Sequence, residues 1–299
     1  MTVGSKSKRK ISMTRDRDGR RAPAAHPRKE RRPAGPAKSP SRPATTPRAE
    51  AAGGRPREKR EADLVRIYGF HSVEAALRAP QRELVRLYAT AAAAERLKGE
   101  IDARGVETRV TSLEEIAARS PRDAVHQGVL LEARPLQPID LSELPPNGLV
   151  IVLDQITDPH NVGAILRTAA AFAVDALVTT ERHSPEFSGA LAKSASGGLE
   201  HVPICSVTNL ARALSELGDM GYLRVGFDSE GPAPLDQVPL ARPLAFVLGA
   251  EGKGLRRLTR ERCDVLARLD LPGAIKSLNV SNAAAIALAL AYRRLSQGA

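Results

Sequence analysis

Three short segments of the 299-residue chain place polar residues where a plain fold has no need of them. The first is LDQITDPHNVGAILRTAAAF (153–172). Asp158-Pro159 fits a turn, and Asn161 fits the cap of the helix that follows. Arg167 lies in an otherwise apolar helical stretch, beside Leu166 and Ala169. A buried arginine there needs a partner, whereas an arginine facing solvent needs none. The second segment is LAFVLGAEGKGL (244–255), an apolar strand running into Gly249, Gly252 and Gly254, with Glu251 inside the turn. Such a turn presents backbone amides at the carboxyl edge of a parallel sheet, the usual ligand edge of open α/β sheets. A simple glycine-rich turn explains the same residues. The third is LDLPGAIKSLNVSNAAAIAL (269–288), where Ser277, Asn279, Ser281 and Asn282 gather at the start of an Ala-rich helix. A helix start with spare donors binds a carboxylate or a phosphate; over-provided capping is the plainer reading.

Other chemistries have no foothold in the sequence. GAEGKGL contains a Gly-Lys pair, but no Ser or Thr follows the lysine, so it is not a phosphate-binding Walker loop. There is no H-E-x-x-H, no C-x-x-C and no G-x-S-x-G elbow. Two cysteines, Cys205 and Cys263, are too few for a disulfide framework or a Cys-rich metal site, and they suggest a reducing compartment. The six histidines are scattered, and His160, His183 and His201 read as structural or surface residues. No metal site is expected.

The elements that must position the three segments alternate between strand and helix. After Ile67-Tyr68-Gly69, HSVEAALRA has helical spacing, with Val73, Ala76 and Leu77 on one face. LVRLYAT (84–90) alternates as a strand, 91–104 reads as a helix, and 106–110 as a strand. A helix at 112–120 has Ser112 as N-cap and Glu115 at the capping-box position. GVLLEAR (128–134) is a further strand, so residues 64–134 form a small α/β domain. Residues 135–147 are Pro-rich and read as a linker. The second α/β domain, 148–299, opens with GLVIVLDQI, a continuous apolar run suited to a buried parallel strand. Strands are expected at 176–181, 201–207, 222–229, 244–252 and 264–271. Helices are expected at 163–172, in SGALAKSAS, at 209–220, at 255–263 and at 280–296.

Charge is distributed unevenly over these parts. The chain holds 45 Lys and Arg against 34 Asp and Glu, a formal +11. Residues 1–61 carry 19 basic and 6 acidic residues, or +13, so the remainder carries −2. With eight prolines, no aromatic residue and only Val3 and Ile11 as large aliphatics, residues 1–63 are expected to be a disordered basic tail. Such a tail holds RNA phosphates in a salt-dependent way, or serves only as a solubilising extension. Trp is absent and aromatics are 3%, so the core must be built of Ala, Leu, Val and Ile. No apolar run approaches the ~20 residues that span a bilayer, and the expected location is the cytoplasm.

Taken together, in this order and at these spacings, the three segments resemble the three motifs of the SpoU (TrmH-type) family of RNA ribose 2′-O-methyltransferases, within the SPOUT superfamily. The resemblance runs from about Ile67 to the C-terminus. IYGFHSVEAAL and AVHQGVLLEAR are similar to the small RNA-binding domain of several members. GAEGKGLRRLTRERCD and KSLNVSNAAAIAL are similar to the branch that modifies a guanosine of 23S ribosomal RNA.

The resemblance implies an α/β fold whose mostly parallel sheet carries a trefoil knot, here over roughly residues 245–290, and a homodimer joined through the catalytic domains. It implies S-adenosylmethionine as cofactor, held against Leu248, Gly249, Leu269, Leu271, Leu278 and Asn279. By motif position, Asn161, Arg167, Glu251, Ser277 and Asn279 match the family's functional residues, and Arg167 matches the residue proposed to act on the ribose 2′-hydroxyl. One departure stands out: Leu269-Asp270-Leu271 replaces the commoner Ile-Pro-Met, with the proline moved to Pro272. Within the resemblance, a transfer-RNA methyltransferase and a non-catalytic RNA-binding assembly factor are the alternatives. RNA contact in the nearly neutral folded part must rest on local patches such as Arg256, Arg257, Arg260 and Lys276.

Deleting residues 1–60 is expected to weaken RNA affinity, mainly at low salt, while donor binding and chemistry persist. A salt titration of RNA binding by the full and shortened chains reads this; identical curves would assign the tail no role as an RNA tether.

Overall fold

The structure is a computed structural model that describes residues 64–297. The expected basic tail, residues 1–63, lies outside the described residues.

The first unit builds a four-stranded sheet. Its elements are β1 (Val65–Tyr68), α1 (Phe70–Arg78), β2 (Leu84–Ala89), α2 (Ala91–Arg96), α3 (Lys98–Arg104), β3 (Thr108–Val110), α4 (Leu113–Arg119) and β4 (Val129–Ala133). The strand order is β1-β4-β2-β3. β4 lies antiparallel to both neighbours and is buried at every position, the charged Glu132 included. The single helix expected over 91–104 is broken at Leu97, whose side chain is fully buried in the core. Ser112 caps α4 by accepting from Glu115 N at 3.3 Å. The reciprocal half of the capping box is not made, because the Glu115 carboxylate takes Thr111 Oγ1 and Arg119 instead.

A seven-stranded sheet forms the second unit. It comprises β5 (Leu149–Asp154), β6 (Ala176–Thr180), β7 (Ile204–Val207), β8 (Leu223–Phe227), β9 (Ala233–Pro234), β10 (Leu244–Gly249) and β11 (Val265–Arg268), in the order β7-β6-β5-β10-β8-β11-β9. Every neighbouring pair runs parallel. Its helices are α5 (Pro159–Ala171), α6 (Gly189–Ala195), α7 (Leu210–Asp219), α8 (Arg257–Glu261) and α9 (Val280–Gln297). Alternation along the strands sorts the two faces. Leu149, Ile151 and Leu153 of β5 share a core with α5, α6 and α9, while Val150 and Val152 share one with α7. Burial on both faces is why β5 and β10 read as continuous apolar runs.

From β5 the chain moves outward through β6 and β7, then crosses to the other side of the sheet for β8, β10 and β11. The reversal makes the carboxyl ends of β5 and β10 a topological switch point, where crevices form in open α/β sheets. Asp154 and Gly249 are the paired last residues of those two strands.

The four-stranded unit packs on α6 and the 3-10 turn Gly198–Glu200. Ser72 Oγ donates to Ala192 O at 2.9 Å, and Gln81 Nε2 donates to Glu200 O at 2.6 Å. Arg82 grips the Glu200 carboxylate with two bonds, Nε to Oε2 at 3.0 Å and Nη2 to Oε1 at 2.6 Å, with both side chains almost fully buried. Removing one partner strands the other charge in a dry contact, which costs about 3–5 kcal/mol. Glu200→Ala is therefore expected to destabilise the chain by about that amount in denaturant titration.

Candidate functional site

The loop after β5 folds differently from the expectation that Asn161 caps the helix. α5 begins at Pro159, with Asp158 as its cap accepting from His160 N at 2.9 Å. Proline suits that first position because its missing N–H would be unpaired there anyway. Asn161 thus lies inside the first turn, and its amide is free to reach across to the loop after β10. His160 Nδ1 meets Ser194 Oγ at 3.1 Å, a contact between helices.

The loop after β10 doubles back at once. Gly254 N donates to Ala250 O at 2.8 Å, closing residues 250–254 into a tight turn. A side chain at Gly249 would sit 2.2 Å from the Gly254 carbonyl carbon, so only glycine fits the end of β10. Gly252 and Gly254 have φ of +73° and +64°, the left-handed region that glycine enters without a Cβ clash. This turn holds Glu251 over the switch point. Arg256 fastens its far side, donating from backbone N (2.9 Å) and from Nε (2.6 Å) to the fully buried carboxylate of Asp154.

Asn279 joins the third segment to the other two. Its Oδ1 accepts from Ser281 N at 2.8 Å and from Ser281 Oγ at 2.6 Å, capping α9. A backbone N–H only donates, so the amide oxygen must face it and the NH₂ must face away. That NH₂ donates to Asn161 Oδ1 and to Glu251 Oε1, each at 2.8 Å. Asn161 Nδ2 in turn donates to Glu251 Oε1 at 2.9 Å. Capping and site formation, which the sequence leaves as alternatives, are performed by opposite ends of one amide.

Beside this cluster lies a cavity of about 390 Å³. Leu248, Gly249, Glu251, Leu269, Leu271, Ser277 and Leu278 all line it, as do the strand-end residues Phe227 and Asp228. Asp270 does not line it: its carboxylate accepts from Arg268 Nε at 2.8 Å, so the substitution that departs from the family pattern is turned away from the cavity. Lys276 Nζ donates to Leu271 O at 2.8 Å and closes the 271–276 loop. Arg167 is not brought to this cavity. It is exposed, about 9 Å along α5 from Asn161, and lines a separate cleft with His71, Arg78 and His201.

Sequence reasoning passes over Asp154 and Asp228. The signal for Asp154 is a charge closing an otherwise apolar buried strand, LVIVLD; the signal for Asp228 is its place at the carboxyl end of β8. Asp228 is ion-paired with Arg260. Burial pushes the Cys205 thiol up to about 11 and the Cys263 thiol up to about 12, so neither is a thiolate nucleophile at neutral pH. Among the described residues no group of three or more His, Cys, Asp or Glu could hold a metal ion.

The SpoU rRNA Methylase family matches residues 148–289, and the family described as RNA 2′-O ribose methyltransferase substrate binding matches residues 66–139. The 23S rRNA (guanosine-2′-O-)-methyltransferase RlmB of Pseudomonas syringae pv. tomato is 40% identical over 246 residues, covering 78% of this chain and 97% of the relative. The protein of the same name from Nitrosomonas europaea is 48% identical over 177 residues, covering 58% of this chain and 68% of the relative. A putative RNA methyltransferase of the TrmH family from Porphyromonas gingivalis shares the fold with a TM-score of 0.66 at 24% identity, over 80% of this chain and 94% of that one. The SpoU methyltransferase AviRb from Streptomyces viridochromogenes, solved in complex with AdoMet, shares it with a TM-score of 0.68 at 20% identity, over 81% of this chain and 94% of that one.

Loss of a side-chain N-cap costs about 1 kcal/mol. Asn279→Ala is expected to cost at least that in thermal or denaturant unfolding, because it also removes both amide bonds to Asn161 and Glu251. Asn282→Ala, at an exposed position three residues on with no side-chain hydrogen bond among the described residues, is expected to be close to neutral.

Proposed function

The chain belongs to the SpoU rRNA methylase family, and from that membership we propose that it methylates a ribose 2′-hydroxyl of RNA with S-adenosylmethionine, at a guanosine of 23S ribosomal RNA. The observation that carries this reading is the convergence of Asn161, Glu251 and Asn279 beside one cavity at the β5–β10 switch point.

The residues present fit the donor. A cavity of about 390 Å³ lies within the usual range for small-ligand sites. Its leucines offer apolar faces for a purine and a thioether-like chain. The backbone at Gly249, Leu269 and Leu278 offers amides and carbonyls for polar edges, so the assignment of Leu248, Gly249, Leu269, Leu271 and Leu278 to the donor is chemically consistent; Asn279, assigned with them, does not line the cavity and reaches it only through its bond to Glu251. S-adenosylmethionine supplies, when bound, a methyl group on a sulfonium, which is already a good leaving group. The protein's task is then alignment and the handling of one proton.

Asn161 and Asn279 hold fixed amide orientations through Glu251, which lines the cavity, and are assigned to orient donor and ribose. Ser277 lies beside them on the cavity wall, and Glu251 keeps the two amides in register. Arg167 is assigned to the RNA. A guanidinium stays protonated under ordinary conditions, so holding a phosphate and polarising the hydroxyl requires less than acting as a base. Its exposed position and its lack of an ion-pair partner among the described residues support the phosphate contact.

The four-stranded unit is assigned to substrate binding and residues 245–290 to the trefoil knot. The knot assignment follows from membership of the family. Apolar surface left open at Ile286 and Tyr292 of α9 supports a homodimer through the catalytic domain. No helix of the described residues is long and apolar enough to cross a membrane, and a ribosomal RNA substrate supports a cytoplasmic activity.

The test is transfer of labelled methyl from S-adenosylmethionine to 23S ribosomal RNA, with ribose-methylation mapping in cells that have or lack the gene. One 2′-O-methylguanosine of 23S RNA is expected to disappear with the gene. An unchanged ribosomal pattern with a lost transfer-RNA mark would overturn the substrate, and absence of donor binding in calorimetry would overturn the reaction. Arg167→Ala is expected to lower turnover by about 100-fold or more while the donor Kd stays within about twofold. Wild-type turnover in that variant contradicts its assignment.

A further inference from the structure

The carboxyl edge of the seven-stranded sheet carries a second depression. It lies on the other side of the β5 end from the donor cavity and measures about 570 Å³. Gln155 follows β5, Arg182 and His183 follow β6, Asn209 follows β7, and Arg256 and Arg257 open α8; all six line it. No Asp or Glu lines it. The turn after β10 borders both spaces, since Glu251, Gly252 and Gly254 face the donor cavity while Arg256 and Arg257 face this cleft.

The cationic groups here are held in place yet left available. Asp154 engages Arg256 through its backbone N–H and Nε alone, so the two terminal nitrogens of the guanidinium remain open to the cleft. A guanidinium fixed in this way gives up little side-chain entropy when it binds an oxyanion. Among the described residues Arg257 pairs only with Glu261 on its own helix, and it is 77% exposed. Arg182 has no ion-pair partner among the described residues. Its loop is tied to the end of β6, because Thr180 Oγ1 donates to Arg182 O and Ser184 Oγ donates to Thr180 O at 2.7 Å. Gln155 and His183, neither of them glycine, have φ of +59° and +64°. Residues other than glycine held in that region mark places where surrounding structure dictates the backbone, and such places gather at ligand sites.

We propose that this cleft is a phosphodiester-binding groove for the RNA strand next to the modified nucleotide, with Arg182, Arg256 and Arg257 as its contacts. The proposal rests on the reading of the chain as an RNA methyltransferase and adds the surface along which the strand runs. Three arginines from two loops, no lining carboxylate and a shared border with the donor cavity suit a polyanion that must be laid across the switch point. The exposed threonine and asparagine side chains of the β7 loop, Thr208 and Asn209, add polar groups for phosphate or ribose oxygens.

The experiment uses the full chain and a 23S ribosomal RNA fragment that the unaltered protein methylates. Affinity for RNA is measured against salt for the double variant Arg182→Ala/Arg257→Ala, with donor binding as the control for folding. Affinity is expected to fall about tenfold at moderate salt, and the slope of log affinity against log salt to become shallower by roughly 0.7 for each phosphate that is no longer neutralised. Donor Kd is expected to stay unchanged. Arg182→Lys/Arg257→Lys, which keeps the charge, is expected to retain the slope and serves if the alanine variant is poorly folded. Unchanged affinity and slope in a double variant that still binds donor overturns the groove while leaving the methyltransferase reading intact. Failure of the unaltered chain to methylate any ribosomal fragment overturns that reading instead.

Discussion

One carboxylate oxygen ties the catalytic half of this molecule together. Glu251 Oε1 accepts from Asn161, 90 residues earlier, and from Asn279, 28 residues later. Asn279 and Asn161, 118 residues apart, are also bonded directly. Each partner belongs to a different segment, so the geometry of the site is complete only when all three are in place. Hydrogen bonds to a charged acceptor contribute about 1.5–3 kcal/mol each when shielded, and less where solvent competes, as it does for the exposed Glu251. The value of the cluster is therefore orientation more than stability. It fixes the orientation of both amides around Glu251, which itself lines the cavity.

The fold supplies what this cluster requires. A reversal of strand order puts the ends of β5 and β10 side by side, and the Asp154–Gly249 pairing brings their following loops to one point. Gly249 permits the loop to double back, and Asp154 anchors Arg256 at its far end. The start of α9 is delivered by the chain leaving β11, and the Ala-rich face of that helix, with Ala284, Ala287 and Ala291 buried, lets it pack against α5. Across the sheet edge the polar residues divide into a cluster around Glu251 and a cationic side around Arg182 and Arg256. The four-stranded unit is docked onto the same body by the buried Arg82–Glu200 pair.

Much of this is legible in the sequence because its signals are local. Apolar runs such as LVIVLD and LAFVLG announce strands buried on both faces, and the strands and helices fall close to where periodicity puts them. Ser112 acts as the cap that its spacing foretells, yet Glu115 does not complete the box, because Thr111 and Arg119 compete for its carboxylate. Periodicity alone merges α2 and α3, since burial of Leu97 is a tertiary event. Asn161 has the residue type of a cap, but Asp158 and Pro159 offer a competing start, and local spacing does not choose between them. By numbering Asp270 falls close to the donor, but Arg268 draws it away. The cationic cleft is half legible: Arg256 and Arg257 stand out, whereas Arg182 and Gln155 join them only through the order of the strands.

If Glu251 organises the donor site, the most direct measurement is donor affinity of Glu251→Ala by calorimetry, combined with amide hydrogen exchange over residues 277–282. With the shared acceptor gone, S-adenosylmethionine affinity is expected to fall at least about tenfold, equivalent to about 1.4 kcal/mol, while amides at the start of α9 exchange faster and the sheet stays protected. Donor affinity within about twofold of the unaltered chain, with unchanged exchange at Asn279 and Ser281, would contradict the claim that this carboxylate sets the geometry of the site.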